Sequence, residues 1–310
     1  MADYEKKRIL VVVKTYPNPS RSYRETVCCA GVDLDTGRWV RMYPITFRWL
    51  TRGRFAKFQV IECTATRPRD DTRPESWRLN QDSITLVGRP MPTGTAGWRR
   101  RMALLPSPSR SLEEIQEAQA ANRTSLGMFR PKEILGLVKE KARPWTERQK
   151  AYLRQQHLDL GVEISREVQE LEQIPWSFSY RFTCDDDRCV RPHELQIIDW
   201  ELGAAYRNWS RAYGGGWEEK IRQKYAHELP ATDLHLVVGN IAAHPASFVI
   251  ICLVRPPRAK VDGGYVQQTL DLVGEKRPMA GVRIGLEAEQ ADALGLDERN
   301  EPLHLFPDEG

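Results

Sequence analysis

The chain reads as a β-rich α+β protein: a small N-terminal β-barrel, OB-like or SH3-like, followed by a C-terminal α+β domain with a Cys/His knuckle. Three observations predict this. Residues 1–90 hold several short β-branched or alternating runs between turn residues, with no long helix among them. Residues 176–201, WSFSYRFTCDDDRCVRPHELQIIDWE, alternate in period two on both sides of a Cys/Asp-rich turn, as two half-buried strands would. Capped helical segments begin only after the first barrel-like run, as at 112–121 and 200–213.

The 310 residues suffice for two domains with a core in each, and 41% hydrophobic with 28% charged residues excludes wholesale disorder. The apolar runs Ile9–Val13 and Phe248–Val254 are too short to cross a bilayer. MADYEKKRIL has no apolar core or cleavage site, so no signal peptide, no membrane and a cytoplasmic location are expected. Six cysteines in a chain of this size fit a reducing compartment better than a disulfide framework. Charge is uneven: residues 1–110 hold 21 Lys+Arg against 10 Asp+Glu, a surplus of +11 that leaves −7 for the rest. A basic front half calls for an anionic partner, DNA or RNA first, or else an answering acidic rear half.

Taken in order, Arg8–Lys14 (RILVVVK) is a buried strand, and TYPNPSRS after it is a surface loop. CCAGVDL, Asp35-Thr36-Gly37 and RWVRMYPI form a hairpin with its turn at 35–37. On its second strand Trp39, Arg41 and Tyr43 share one face and Val40 and Met42 the other. That first face is either a stacking platform for bases and phosphates or a core face from which Arg41 snorkels. Strands follow at 58–66, 76–79 and 83–87, then a short helical or irregular piece at Trp98–Met102. Ser111 caps a helix from Leu112 to about Ala121, with Glu113 and Glu114 in its first turn. Ser125–Lys141 supplies two strands that either complete the first barrel or start the second domain. Residues 145–156 are helical and 164–172 form an amphipathic connector. The expected division is therefore 1–144 basic barrel, 145–172 connector, 173–258 α+β domain and 259–310 loosely packed tail. Within the α+β domain, a helix from Trp200 to Tyr213 ends at Gly214–Gly216, a second runs over 217–229, and strands at 233–241 and 247–254 close the unit.

Cys184, Cys189 and His193, spaced Cys-x4-Cys-x3-His, are three ligands of the kind zinc prefers, with Asp187, Asp199 or His244 as candidate fourth ligand. Without a metal, Cys184 packs, Cys189 is a free thiol and His193 caps a turn. The run Asp185–Asp187 holds a hard cation only if its loop curls, and otherwise is a solvated turn. Asp199 and Glu201 share a face at a strand-to-helix junction, a pairing that nucleases use to hold Mg²⁺, or they cap the helix. Restriction-type sites also want a lysine two residues on, and position 203 is Gly, so Lys220 or Lys224 would have to substitute. No G-x-S-x-G, Walker, Rossmann or HExxH pattern occurs.

The blocks KTYPNPSRSYRETVCCAGVDLDTGRWVRMYPI (14–45) and FSYRFTCDDDRCVRPHELQIIDWE (178–201) are similar to a group of bacterial hypothetical proteins, and the first also resembles proteins described as having a dual OB-type domain. The resemblance implies architecture and a nucleic-acid leaning, and transfers no catalytic residue. Three functions are expected in turn. The first is nucleic-acid binding through phosphate contacts at Arg41, Arg48, Arg52, Arg54, Lys57, Arg99, Arg100 and Arg101, with Trp39, Tyr43 and Trp98 stacking. The second is a metal-dependent nuclease or hydrolase using Asp199 and Glu201 as catalytic residues. The third is a protein-interaction module whose acidic half meets a partner protein.

Overall fold

The computed structural model describes residues 4–16, 18–20, 24–46, 55–147, 173–258, 260–261 and 264–265. The front strands are β1 (Glu5–Lys14), β2 (Asn18–Ser20), β3 (Arg24–Asp33), β4 (Arg38–Thr46), β5 (Val60–Thr66), β6 (Ser76–Leu79) and β7 (Thr85–Val87). They follow the order β1-β3-β4-β6-β5, and β1 also pairs with β5, so five strands close into a barrel. The parallel pairing in it is β4 with β6. The β3–β4 turn falls at 35–37: Gly37 donates to Asp33 O and takes φ of 65°, the left-handed conformation glycine adopts without cost.

Strand β1 shows why its sequence is continuously apolar. Ile9 and Val11 point into the barrel beside Val40, Met42, Ile61 and Trp77, while Leu10 and Val12 point outward onto a second core. A strand covered on both faces needs no polar alternation.

That outer covering comes from the rear of the chain. Helices α1 (Thr95–Ala103) and α2 (Leu112–Asn122) lead to strands β8 (Leu126–Phe129) and β9 (Glu133–Lys141). Then come β10 (Trp176–Thr183), β11 (His193–Gln196), α3 (Trp200–Tyr213), α4 (Trp217–Ile221), β12 (His235–Ile241) and β13 (His244–Val254). The two strands of 125–141, expected either to complete the barrel or to start the second domain, hydrogen-bond to rear strands, β8 to β12 and β9 to β10. The sheet β13-β12-β8 is a middle layer. Val237 and Ile251 face the outside of the barrel, whereas Leu236, Val238 and Ile250 face a third core with Phe178, Tyr180, Phe182, Leu202 and Ile221.

Ser111 caps α2 by accepting from Glu114 N, and Asp199 caps α3 by accepting from Glu201 N. After α4 the expected single helix over 217–229 continues as a π-helical turn over 222–228. Of the expected helix 145–156 and connector 164–172, residues 148–172 lie outside the described residues, as do most of 259–310. A separate unit, 259–310, contributes the two-strand pairing of β14 (Lys260–Val261) with β15 (Gly264–Tyr265). Among the described residues no helix is long and apolar enough to cross a membrane.

Candidate functional site

Strand β10 ends at Thr183 and the chain turns through Cys184–Pro192 before returning as β11. Cys189 N donates to Asp186 O, and Cys184 N donates to Cys189 Sγ at 3.2 Å, which folds the turn back on itself. His193 opens β11 opposite Phe182, and their rings lie 5.4 Å apart. The first turn of α2 is docked on this knuckle because Ser111 Oγ donates to Asp186 Oδ2 at 2.6 Å and Arg110 Nε donates to Asp185 O. Docking brings in Glu113. Its carboxylate, one nitrogen of His193 and the sulfurs of Cys184 and Cys189 all lie within 4.8 Å of one another.

Four ligand atoms of the types that bind zinc thus converge from three segments, and the cluster could hold a metal ion. His193 Nε2 is 2.6 Å from Glu113 Oε1, while Glu113 Oε2 is buried without a hydrogen-bond partner. Burial pushes the Cys184 thiol well above its usual range, with the Glu113 charge acting in the same direction. A cation among the four would reverse both effects by drawing the proton from sulfur and satisfying the orphaned oxygen.

The three candidate ligands Cys184, Cys189 and His193 lie together, and the group that joins them, Glu113, is not among the expected fourth candidates. Asp187 and His244 are exposed, and Asp199 is engaged elsewhere. Glu113, about seventy positions upstream, resembles any other acid in a helical first turn, so no local signal marks it. The three aspartates do not wrap a cation. Asp186 accepts from Arg188 and Ser111, Asp185 pairs loosely with Lys132 at 3.8 Å, and Asp187 is exposed.

The expected basic surface divides. Arg41 is 4% exposed and does not snorkel: Nη2 donates to Ser125 O at 2.9 Å and Nη1 to Cys28 Sγ at 3.4 Å. The period-two assignment of β4 is correct, with Val40 and Met42 inside the barrel, but the opposite face is covered by the rear sheet, and Trp39 packs there half-buried. Trp98 is buried edge-on against Phe58. Arg101 is 6% exposed, lies over both rings and donates to Met91 O. Arg99 and Arg100 are exposed on α1. Arg48, Arg52, Arg54 and the Tyr43 side chain lie outside the described residues. The described members therefore do not form one surface: Arg41, Lys57, Trp98 and Arg101 turn inward because the rear sheet and α3 cover the barrel on that side.

Lys57 is the lysine that the acid pair lacks in sequence. Its Nζ donates to Asp199 Oδ1 at 2.7 Å and Oδ2 at 2.9 Å and lies 3.5 Å from Glu201 Oε1. Neither Lys220 nor Lys224 fills that place; Lys224 pairs with Glu228. Position 203 is Gly for a different reason, since a Cβ there would come 2.1 Å from Tyr16 Cδ2. Asp199, 1% exposed, also accepts from Glu201 N and Leu253 N. All of its strong acceptor directions are occupied, which makes it a strut between barrel, helix and rear sheet, not an open metal ligand.

No curated protein matches the chain. The family model described as "Domain of unknown function (DUF8758)" matches residues 5–107, which include the whole barrel and α1. The other matching model covers more than half of the chain and begins just before the helix that carries Glu113, so both the knuckle and Glu113 fall inside it. By residues 108–272, the chain belongs to the family described as "Domain of unknown function (DUF8757)".

Proposed function

We propose that Glu113, Cys184, Cys189 and His193 bind one zinc ion whose role is structural, tying α2 to the β10–β11 knuckle. The observation that carries this is the buried, unpartnered Oε2 of Glu113 facing two thiols and an imidazole inside one 4.8 Å cluster. Two thiolates, one imidazole and one carboxylate suit a four-coordinate zinc, and a closed set of four leaves no position for substrate. The test is elemental analysis of the purified full chain, with cobalt replacement read by its thiolate absorption. About one zinc per chain is expected, and Cys189→Ser should lose it. Protein free of metal, with a melting temperature unmoved by zinc or chelator, rules the site out.

A second reading, nucleic-acid binding, is favoured by the barrel. Counting its five strands in chain order, neighbours run 1-2-3-5-4-1 with the third and fifth parallel, the arrangement of an OB-type barrel. Such barrels commonly bind oligonucleotides, although a fold alone assigns no function. Arg99 and Arg100 are the described members of the expected basic set left exposed without a carboxylate in their own helix. Binding of single-stranded DNA or RNA should weaken steeply with salt, and Arg99→Ala with Arg100→Ala should flatten the slope by about two charges. Affinity independent of salt counts against it.

A further inference from the structure

The thiols of Cys184 and Cys189 are placed to react with each other as well as to hold a metal. Their sulfurs lie within 4.8 Å of one another on a single turn. The main chain brings them that close by its own hydrogen bonds. Cys184 N donates to Cys189 Sγ at 3.2 Å, Cys189 N donates to Asp186 O, and the Asp186 carboxylate is held by Arg188 and Ser111.

Access separates the two. Cys189 is half-buried, whereas Cys184 is 4% exposed. A small reagent in solution therefore reaches Cys189 first, with Cys184 beside it as the second thiol. An accessible thiol next to a resolving one is the arrangement that cycles between thiol, sulfenic acid and disulfide. The other cysteines are not so arranged. Cys29 and Cys63 are buried in the barrel core, and Cys252 is buried between the barrel and the rear sheet. Cys28 is half-buried, but its sulfur accepts from Arg41 Nη1 and its neighbour Cys29 packs into the barrel.

We propose that the knuckle is a peroxide-responsive switch in which Cys184 and Cys189 give up their metal and form a disulfide. The bond rests on the geometry of the two thiols, and the release rests on the zinc reading above. Hydrogen peroxide is the oxidant. The Cys189 sulfur attacks one peroxide oxygen, the O–O bond breaks, and the departing hydroxide takes up a proton as water. The Cys184 sulfur then attacks the Cys189 sulfenic acid: the S–S bond forms, the S–O bond breaks, and a second hydroxide leaves as water. Two thiolates, one peroxide and two protons thus give one disulfide and two waters, with both sulfurs oxidised and both peroxide oxygens reduced. Zinc is held by thiolate sulfur, so Glu113 and His193 remain as two ligands where a structural site takes four. Those two already lie 2.6 Å apart and keep each other as partners. The first turn of α2 loses its metal link to the knuckle and keeps the hydrogen bonds from Ser111 and Arg110.

The test assays the purified full chain for zinc and then treats it with excess hydrogen peroxide. Free thiols are counted in denaturant, released zinc is read with a chromogenic chelator, and the disulfide is located by mass spectrometry of unreduced peptides. Loss of two thiols per chain, a bond between Cys184 and Cys189, release of the zinc, and reversal by dithiothreitol with added zinc support the switch. Cys28→Ser, which leaves the knuckle untouched, should respond as the parent does. Cys184→Ser should stop at a sulfenic acid on Cys189, trapped by dimedone. A chain that keeps its zinc through the treatment, or loses it without a bond between Cys184 and Cys189, overturns the switch and leaves the zinc reading standing. Absence of zinc before peroxide is failure of the zinc reading itself; the bond mapped in that protein supports the thiol pair, and no bond overturns both.

Discussion

Lys57 Nζ and Asp199 Oδ1 lie 2.7 Å apart, and between them they join the barrel to the amino-terminal cap of α3. Asp199 is buried and Lys57 nearly so; burial would lower the Lys57 pKa, but Asp199 and Glu201 raise it well above the usual lysine range. Removing one member leaves the other charged and dry. Lys57→Met should cost about 3–5 kcal/mol of stability, measured by urea unfolding. A loss under about 1 kcal/mol would show the pair to be solvated and merely adjacent.

Acid stability should report on Asp71. Burial would raise its carboxyl pKa, but hydrogen bonds from Arg73 and Ser76 and the Arg73 charge hold it down to about 2. The folded value lies below the unfolded one of about 3.9, so the ionised form contributes stability above pH ~4 that is lost as pH falls toward 2. Asp71→Asn should be less stable than the parent at pH 6 and lose less between pH 4 and 2. Parallel pH curves for the two proteins in melting experiments would refute this.

Gly203 is where helix α3 meets the aromatic ring that follows β1. An added methyl would lie 2.1 Å from Tyr16 Cδ2 and 2.6 Å from Cε2. The helix would gain from alanine's propensity by about 1 kcal/mol, but displacing a ring that is 5.9 Å from Trp200 costs more. Gly203→Ala is expected to destabilise by about 1–3 kcal/mol in denaturant melts. A stabilised variant would mean that Tyr16 moves freely.

Glu113 and Glu114 are neighbours in the first turn of α2 with different tasks. Glu113 faces the thiols, whereas Glu114 accepts from Arg110 N. Glu113→Gln should weaken zinc affinity by more than about ten-fold in competition with a chromogenic chelator. Glu114→Gln should leave it unchanged, and equal effects would assign Glu113 to helix capping alone.

What local chemistry specifies was legible in the sequence. The strand–turn–strand at 24–46, Ser111 and Asp199 as caps, α3 over Trp200–Tyr213 and the grouping of Cys184, Cys189 and His193 each follow from residues within a short local stretch of the chain. Period two also placed Trp39 and Arg41 on one face of β4. It could not say what covers that face, because a strand's alternation is the same whether the second face meets water or another sheet. Pairing β8 with β12, docking α2 on the knuckle and swinging Lys57 onto Asp199 were decided by tertiary packing alone. Those contacts span some eighty to a hundred and forty positions, and their chemistry, an acid beside a thiol or a lysine beside an acid, leaves no mark on either local sequence.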